Sequence, residues 1–353
     1  MRISMISFTE NGVILSEKTK ENLKGFQIQL FTKCSYVPGK YDDVEQVRQP
    51  ISVWAKEQME QKNALVFVGA CGIAVRAIAP HIVSKLVDSP VLVIDEKGKY
   101  VIPILSGHFG GANELAVWIA KKIGAEPVIT TATDINQKFA VDIFAKKNNL
   151  FIVNKDGIAK VSAKVLRGEK ITFSIENGHL KNGEILPEEI LLVSYPPEEM
   201  VDVVVSSEDK EFDVLLTLKP REYVVGAGCR KGKEPAKFAE FVTEMLEKAE
   251  IEKHKICTLA SIDVKEDEQA MLKWSEENHI PFLTYGRGEL EEVDGKFQES
   301  EFVKQTVGVG NVCERAALKA AGTGGKLVLG KYAEDGMTIA IAKREWRVTF
   351  DEE

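Results

Sequence analysis

The feature that most constrains the fold is a short apolar run that ends in a glycine-rich turn and leads directly into a helical pattern. Residues 101–105 form the apolar run, and residues 106–113 read Ser-Gly-His-Phe-Gly-Gly-Ala-Asn. Residues 114–122 then repeat apolar side chains at helical spacing. Strand, glycine turn and helix in this order are typical of α/β proteins. The N–H groups of such a turn, together with the start of the helix, attract anions, so we predict a ligand site here.

The same alternation lies on both sides of a different middle region, which predicts three domains. Residues 1–136 and 220–353 alternate strand and helix patterns, whereas residues 137–219 carry short β-runs between polar, glycine-containing turns. A chain of 353 residues is long enough for two or three domains with separate cores. We therefore expect two α/β domains with a smaller α+β domain between them.

Composition excludes several classes of protein. The apolar fraction is 44% and the charged fraction 28%, as in globular proteins, while a net charge of −8 argues against a general nucleic-acid binder. No apolar stretch is long enough to span a bilayer, and residues 1–10 become polar too early for a signal peptide. The five cysteines are scattered without a CxxC pair, which suits a reducing compartment. We expect a cytoplasmic protein with neither nucleic acid nor membrane as a partner.

The turn at residues 106–113 combines an acid/base group with backbone donors. His108 can transfer a proton near pH 7, and the amides of Gly110 and Gly111 can bind an anion or an oxyanion. Asn113 is a natural N-cap for the helix that follows. The alternative is a tight turn whose histidine only hydrogen-bonds to the backbone. The glycine spacing fits neither a Walker A loop nor the dinucleotide fingerprint.

Two further segments follow predicted strands, and strand ends line the ligand crevice of α/β sheets. Arg76 lies on a predicted short helix after residues 64–68. Its guanidinium can bind a carboxylate through two N–H groups, or it can be an ordinary surface charge. Residues 129–134 carry three hydroxyls, including that of Thr131, and end in Asp134. Asp134 can orient a histidine, or it can simply cap the next helix.

The last domain carries its own glycine-rich segment at residues 225–233, which we interpret as a glycine turn. Gly228, Arg230 and Lys231 lie in it, and its basic side chains form a local positive patch in an acidic protein. Such a patch predicts a cradle for a carboxylate or phosphate. The Rossmann interpretation is weak, because the glycine spacing is wrong.

The helix predicted at residues 312–321 begins with Cys313 and Glu314 in its first turn. There the helix dipole would lower the pKa of a thiol, although a buried and inert cysteine is the alternative. No HExxH motif, calcium loop or His/Cys cluster occurs in the sequence, so a dedicated metal site is not expected.

Taken together, these segments resemble the cobalt-precorrin-5A hydrolase family (CbiG) of anaerobic cobalamin biosynthesis. The resemblance covers nearly the whole chain, although the middle region matches in length and position more than in motif. The motifs that carry it are residues 72–80 (GIAVRAIAP), 105–113 (LSGHFGGAN), 129–134 (ITTATD), 226–232 (GAGCRKG), 260–265 (ASIDVK) and 308–317 (GVGNVCERAA).

The resemblance implies a reaction and a substrate. Water opens the δ-lactone on ring A of cobalt-precorrin-5A, and the C20 carbon leaves with its methyl group as acetaldehyde, which gives cobalt-precorrin-5B. Cobalt arrives inside the substrate, so no cofactor of the protein's own is expected. Besides this small-molecule corrinoid, the expected partners are other enzymes of the pathway and a second copy of the chain.

The resemblance brings no catalytic assignment with it, so the roles rest on residue chemistry. His108 is the candidate base, Gly110 and Gly111 are the oxyanion donors, and Asp134 orients the histidine. Arg76 and Arg230 hold carboxylates at the periphery of the substrate. The candidate catalytic residues are His108, Asp134 and Ser106, and the candidate substrate-binding residues are Arg76, Gly110, Gly111, Asn113, Thr131, Gly228, Arg230, Lys231 and Glu314.

We expect the two outer domains to face each other across one cleft, because a large flat macrocycle needs a wide binding surface. Two rival functions stay open on the residues alone. One is a non-catalytic tetrapyrrole carrier of the same pathway. The other is a nucleotide-dependent oxidoreductase or transferase that uses one of the glycine-rich segments.

Overall fold

The computed structural model describes residues 2–35, 41–84, 87–108, 110–136 and 138–351, and for residues 133, 134, 302, 303 and 306 the backbone alone. Helices packed on mixed sheets confirm the predicted α/β class. By their internal contacts, Met1–Ile143 and Phe144–Glu353 are two compact units. The division into three domains at residues 136 and 219 stays a prediction.

The first unit alternates strands and helices almost throughout. Its elements are β1 (Arg2–Ser7), α1 (Glu10–Asn22), β2 (Gln27–Thr32), β3 (Val44–Gln46), α2 (Ile51–Glu60), β4 (Ala64–Val68), α3 (Cys71–Ile78), β5 (Val91–Ile94), β6 (Tyr100–Leu105), α4 (Ala112–Ile123), β7 (Glu126–Pro127) and α5 (Ala132–Ile135). The helix α6 (Val141–Lys147) begins in this unit and continues into the second.

One sheet forms the centre of the first unit, in the strand order β3-β2-β1-β4-β5-β6-β7. Strands β1 to β5 are parallel, whereas β6 runs antiparallel to β5 and β7 follows the direction of β6. The reversal comes from a tight turn in which the Gly98 N–H donates to the Asp95 carbonyl at 2.8 Å. As a consequence, the carboxyl ends of β6 and β7 lie on the same side of the sheet as the amino ends of β1 to β5.

Helices cover both faces of this sheet, so its central strands are apolar on both sides. Every residue of Ala64–Val68 is at most 2% exposed. Met5 and Val66 pack on the face that α4 covers with Ile119. Phe67 packs on the opposite face, against Trp54 of α2. Such continuous burial is typical of parallel strands in α/β proteins.

The second unit contains two sheets. Its elements are β8 (Leu150–Ile152), α7 (Asp156–Leu166), β9 (Ile171–Ile175), β10 (Ile190–Val193), β11 (Val201–Val205), β12 (Val214–Pro220), β13 (Tyr223–Cys229), α8 (Pro235–Lys248), β14 (Ile256–Ile262), α9 (Gln269–Asn278), β15 (Phe282–Tyr285), α10 (Arg287–Glu291), α11 (Glu301–Val307), α12 (Val312–Ala321), β16 (Lys326–Glu334) and β17 (Met337–Lys343).

The sheets of the second unit differ in their edges. The middle sheet has the order β10-β9-β11-β12-β8, with β8 antiparallel to β12 and the other pairs parallel. The carboxy-terminal sheet has the order β15-β14-β13-β17-β16. There β13, β14 and β15 are parallel, while β17 runs antiparallel to both of its neighbours.

The segment after β17 returns to the middle sheet and ties the two sheets together. The Trp346 indole stacks on the His179 ring with centroids 3.7 Å apart. The Thr349 N–H donates to Asn148 Oδ1 at 2.8 Å. Phe350 stacks on Phe144 at 4.7 Å. The described residues include no helix with the length and apolarity needed to cross a bilayer.

Candidate active site

The turn after β6 owes its shape to two different constraints on its residues. Ser106 and Gly111 have positive φ angles of 57° and 84°, and glycine adopts such angles without strain. Gly110 is restricted by space instead, since a Cβ there would lie 2.3 Å from the Cβ of Ser106. The chain therefore folds tightly back on itself between the strand and the helix.

This turn covers the start of α4 with its own carbonyl groups. Gly111 is the N-cap, and its N–H donates to the His108 carbonyl at 2.9 Å. The N–H groups of Ala112 and Asn113 donate to Ser106 and Gly107 at 3.0 and 2.9 Å. The Gly111 amide predicted as an oxyanion donor is thus engaged within the turn, whereas the role of the Gly110 amide stays a prediction.

The prediction that Asn113 caps α4 is wrong, because the helix begins at Ala112 and Asn113 lies inside its first turn. The Asn113 side chain is buried, and its Nδ2 donates to Thr131 Oγ1 at 3.0 Å. The Thr131 carbonyl in turn accepts the N–H of Ile135 at the end of α5. Two candidate substrate-binding residues are therefore joined directly to each other.

His108 lies beside a carboxylate that sequence reasoning did not assign. Its Nδ1 is 3.9 Å from Asp142 Oδ1, and the two side chains are 14% and 10% exposed. A carboxylate at this distance from a histidine can orient its ring. The expected partner, Asp134, lies in α5, and its side chain is outside the described residues.

A signal for Asp142 was present in the sequence. It stands between apolar residues in the first turn of α6, on the face that carries the buried Val141 and Ala145. An acidic residue on the apolar face of a helix is rarely buried without a partner. That pattern would have pointed to Asp142 as readily as the strand-end position pointed to Asp134.

Ser106 has a structural contact in the same turn. Its hydroxyl donates to the Asp88 carbonyl at 2.9 Å, and the Asp88 carboxylate accepts the N–H groups of Val83 and Ser84. These bonds attach the turn to the segment that precedes β5. Ser106 therefore has a structural role in the turn, and the catalytic role expected of it stays a prediction.

The structure does not bring Arg76 to the His108 turn. The Gly69 N–H donates to the Ile94 carbonyl, which places the loop after β4 at the carboxyl ends of β4 and β5. Both terminal nitrogens of Arg76 lie 3.6 Å from the Cβ position of Gly72, in the first turn of α3. Since the His108 turn follows the reversed strand β6, roughly 10 Å of sheet separates the two positions.

The second unit contains the remaining candidates, and the glycine turn predicted there is partly wrong. Gly226 and Gly228 lie within β13, paired along its length with β17. A Cβ on Gly226 would lie 1.9 Å from the Cys313 carbonyl oxygen, so α12 packs directly against the strand. A Cβ on Gly228 would lie 2.7 Å from Thr338 Oγ1. These glycines permit close packing rather than a turn.

The basic residues do lie in a turn, immediately after β13. Arg230 and Lys231 are exposed, and Gly232 has a φ angle of 73°. Lys233 forms an ion pair with Asp335 at 2.6 Å, and the hydrogen bond from Lys233 lowers the pKa of that carboxyl. Arg230 and Lys231 are thus displayed at the carboxyl end of β13, where α/β sheets bind ligands.

Glu314 and Cys313 are interior residues of the first turn of α12. The Glu314 side chain is buried and accepts hydrogen bonds from the Lys331 N–H at 2.9 Å, the Gln298 N–H and Asn311 Nδ2. Because both of its oxygens are engaged internally, the structure favours a structural role for Glu314. Cys313 is buried, and burial raises the pKa of its thiol to about 11, whereas the helix dipole alone would lower it.

The described parts of the chain contain no cluster of side chains suited to a metal ion. No group of three His, Cys, Asp or Glu side chains there has the arrangement needed to hold a metal ion. All five cysteines are free thiols.

Comparison with known proteins assigns the whole chain to one family. The family model described as cobalamin synthesis G N-terminal matches residues 53–134, the central-region model matches residues 139–207, and the C-terminus model matches residues 223–342. A relative named cobalt-precorrin-5A hydrolase, from Salmonella typhimurium, is 31% identical over 96% of this chain and 97% of its own. The chain belongs to the cobalamin synthesis G family.

Other members of the cobalamin synthesis G family match over a similar length. A cobalt-precorrin-5A hydrolase from Priestia megaterium is 26% identical over 96% of this chain and 94% of its own. The crystal structure of a cobalamin biosynthesis protein G homolog from Sulfolobus solfataricus matches with 26% identity and a TM-score of 0.40, covering 98% of this chain and 97% of that one.

Proposed function

We propose that this protein is a cobalt-precorrin-5A hydrolase. The observation that carries the proposal is the match of three family regions in order, together with a relative of that name at 31% identity over nearly the full length of both chains. The His108 turn lies in the first matched region, so the candidate acid/base group belongs to the part of the chain that the family shares.

The reaction adds one water to cobalt-precorrin-5A and releases acetaldehyde and cobalt-precorrin-5B. Water attacks the lactone carbonyl of ring A, and the ester bond breaks to leave a carboxylate and a hydroxyl group. Cleavage of the C–C bond then releases the C20 carbon and its methyl group as the aldehyde. The conjugated macrocycle accepts the electron pair of that bond, so no covalent protein intermediate is needed.

Within the first unit, His108 is the proposed base that removes a proton from the attacking water. Asp142 takes the orienting role that was expected of Asp134, because its carboxylate lies 3.9 Å from His108 Nδ1. Asn113 and Thr131 support the turn through their mutual hydrogen bond. The Gly110 amide is the proposed oxyanion donor, since the Gly111 amide already donates to His108.

Three cations are proposed to hold the peripheral carboxylates of the substrate. Arg76, Arg230 and Lys231 are all exposed. A guanidinium binds a carboxylate through two parallel N–H donors, which suits the acetate and propionate groups of a tetrapyrrole. The cobalt is part of the substrate, and we propose no metal or cofactor of the protein's own.

We further propose that the protein works in the cytoplasm on a free corrinoid intermediate, alongside other enzymes of the pathway. The five free thiols suit a reducing compartment. A homodimer is the proposed assembly.

The test is an aldehyde assay on the purified full-length chain with cobalt-precorrin-5A. We expect acetaldehyde, trapped as a hydrazone and measured by mass spectrometry, to appear in equal amount to cobalt-precorrin-5B. A bound corrinoid spectrum without aldehyde would favour the carrier. Quenching of nicotinamide fluorescence on titration, again without aldehyde, would favour the oxidoreductase.

A further inference from the structure

A cavity in the second unit lies apart from every residue discussed so far as a candidate for the hydrolysis. Its volume is about 630 Å³, within the usual range for small-molecule sites. The middle sheet contributes Glu176 and His179 to its wall, and the carboxy-terminal sheet contributes Lys326. The segment after β17 contributes Arg344 and Arg347 to the same wall.

Two of the three acidic side chains in this wall already have protein partners. Glu176 accepts hydrogen bonds from the Ser207 N–H at 2.7 Å and the Ser206 hydroxyl at 3.0 Å. The buried Glu222 carboxylate pairs with Lys343 at 3.1 Å. Glu345 is the remaining acidic side chain that lines the cavity, and it is exposed.

The basic side chains in this wall outnumber the acidic ones. Among the described residues, no carboxylate lies within ion-pair distance of Lys326, Arg344 or Arg347. With Lys343 paired to Glu222, three cations against the carboxylates of Glu176 and Glu345 leave a small net positive charge at the cavity, in a protein of net charge −8. Like charges held together are unfavourable unless an anion neutralises them.

The segment that displays the two arginines is held at both ends. The Arg344 N–H donates to the Glu222 carbonyl at 2.8 Å, and Arg344 Nε donates to the Arg221 carbonyl at 3.0 Å. Further along, the Val348 N–H donates to the His179 carbonyl at 2.8 Å. His179 Nδ1 also lies 2.8 Å from the Trp346 carbonyl oxygen, beneath the stacked rings.

This arrangement positions the backbone that displays both arginines, and the Nε of Arg344, before any ligand arrives. Binding to positioned groups loses less conformational entropy than binding to mobile ones, so the cavity is preorganised for anions. A guanidinium is suited to the paired oxygens of a carboxylate or phosphate. We propose that the cavity between the middle and carboxy-terminal sheets binds a small polyanion that carries carboxylate or phosphate groups.

Titration calorimetry at pH 7 with citrate and with pyrophosphate tests the proposal on the full chain. We expect saturable binding of at least one of them, and binding about tenfold weaker in Arg347→Gln, because one charge-assisted contact is lost. Arg347 is preferred to Arg344 for this test, since the Nε of Arg344 also supports the backbone. Arg48→Gln is the matched control, because it removes the same charge from an exposed position in the first unit.

Two results would overturn the proposal. One is the lack of saturable binding of either anion by the wild-type chain, and the other is equal weakening by Arg48→Gln and Arg347→Gln. The KM for the corrinoid in Arg347→Gln then identifies the source of the anion. A raised KM assigns the cavity to carboxylates of the substrate itself, and an unchanged KM assigns it to a separate small ligand.

Discussion

Two glycine-rich segments look alike in sequence and fold differently. Residues 106–113 and residues 225–233 both follow apolar strand patterns, and both suggested a turn that binds an anion. In the first unit the glycines do form a turn, with Gly111 at a φ of 84°. In the second unit Gly226 and Gly228 continue β13 as ordinary extended residues.

The difference shows that a position can require glycine for either of two structural reasons. The spacing of glycines in the sequence does not tell the two reasons apart. Gly111 is needed because its backbone is left-handed. Gly226 is needed because the Cys313 carbonyl occupies the space where a side chain would lie. The first reason is local, whereas the second depends on a helix nearly ninety residues away in the chain.

The two segments also offer different chemistry. The first holds His108 near the carboxylate of Asp142, with little exposure of either side chain. The second presents Arg230 and Lys231 to solvent beyond its strand. We therefore expect changes in the first segment to affect the rate of the reaction, and changes of the basic residues in the second segment to affect the affinity for the substrate.

The largest effect should come from His108→Ala. Loss of a general base typically lowers a rate by about 10²–10⁴-fold, and we expect the kcat for acetaldehyde release to fall within that range. The KM should change little, because the proposed contacts to the carboxylates of the substrate are made elsewhere. Steady-state aldehyde release over a range of cobalt-precorrin-5A concentrations measures both parameters.

His81→Ala is the control for that experiment. His81 belongs to the same unit, and its Nε2 lies 2.9 Å from the Ser52 hydroxyl at the end of a helix. We expect its kcat to stay at the wild-type value. If His108→Ala also kept the wild-type kcat, His108 would not be the base, and the chemical contrast between the two segments would be lost.

The next largest effect should be the destabilisation caused by Gly226→Ala. The new methyl group would lie 1.9 Å from a backbone oxygen of α12, so the helix must move away from β13. Overpacking of this kind costs about 1–3 kcal/mol in the free energy of unfolding. Urea denaturation followed by circular dichroism measures that change.

Gly288→Ala provides the comparison within the same unit. Gly288 is exposed in α10 with no atom within 4 Å of its Cβ position. Alanine is favoured over glycine in a helix, so we expect stability to be unchanged or to rise by up to about 1 kcal/mol. Equal unfolding midpoints for both variants would mean that α12 does not press on Gly226.

Much of this fold could be predicted from the sequence wherever a strand or helix carries a continuous apolar pattern. The bounds of Ala64–Val68 and Val312–Ala321 agree with the structure, because the strand is buried throughout and the helix is buried along one face. Helix α1, Glu10–Asn22, was not predicted. Its buried residues are Gly12, Val13, Ser16 and Thr19, whose small or polar side chains give no apolar stripe.

The candidate site was predictable in part, and its gaps have a physical origin. His108, Asn113 and Thr131 do lie on neighbouring segments, because β6 and β7 run in the same direction. The loop that leads to Arg76 lies at the opposite ends of the strands, since the turn at residues 95–98 reverses the chain before β6. The consequence of that turn for the site appears only once the strand order is known.

A smaller effect is expected for Asp142→Asn, which keeps the size of the side chain and removes its charge. Loss of a carboxylate 3.9 Å from His108 Nδ1 should lower the kcat by about tenfold, because a charge at this distance contributes about 1–4 kcal/mol. The KM should stay near the wild-type value. Aldehyde release measures both constants.

Asp142→Glu separates a role toward His108 from a purely structural one. If Asp142 acts through its charge, the glutamate should recover part of the lost kcat although it fits α6 less well. Equal losses in both variants, accompanied by equal drops in the unfolding midpoint, would assign Asp142 to folding alone. The orienting residue of the first segment would then have to be sought elsewhere.

The smallest effect should come from Arg230→Ala, in the second segment. Its side chain is exposed, and an exposed charge contributes about 1 kcal/mol or less to an interaction, so we expect the KM for the corrinoid to rise by up to about fivefold. The kcat should not change, because the residue is proposed to hold a peripheral carboxylate. The rise should shrink at high salt, where exposed charges are screened.

Arg48→Ala, which removes an exposed arginine of the first unit, should leave both constants unchanged. A fall in kcat at constant KM would instead place Arg230 at the reacting atoms, and the division between a chemical first segment and a binding second one would not hold.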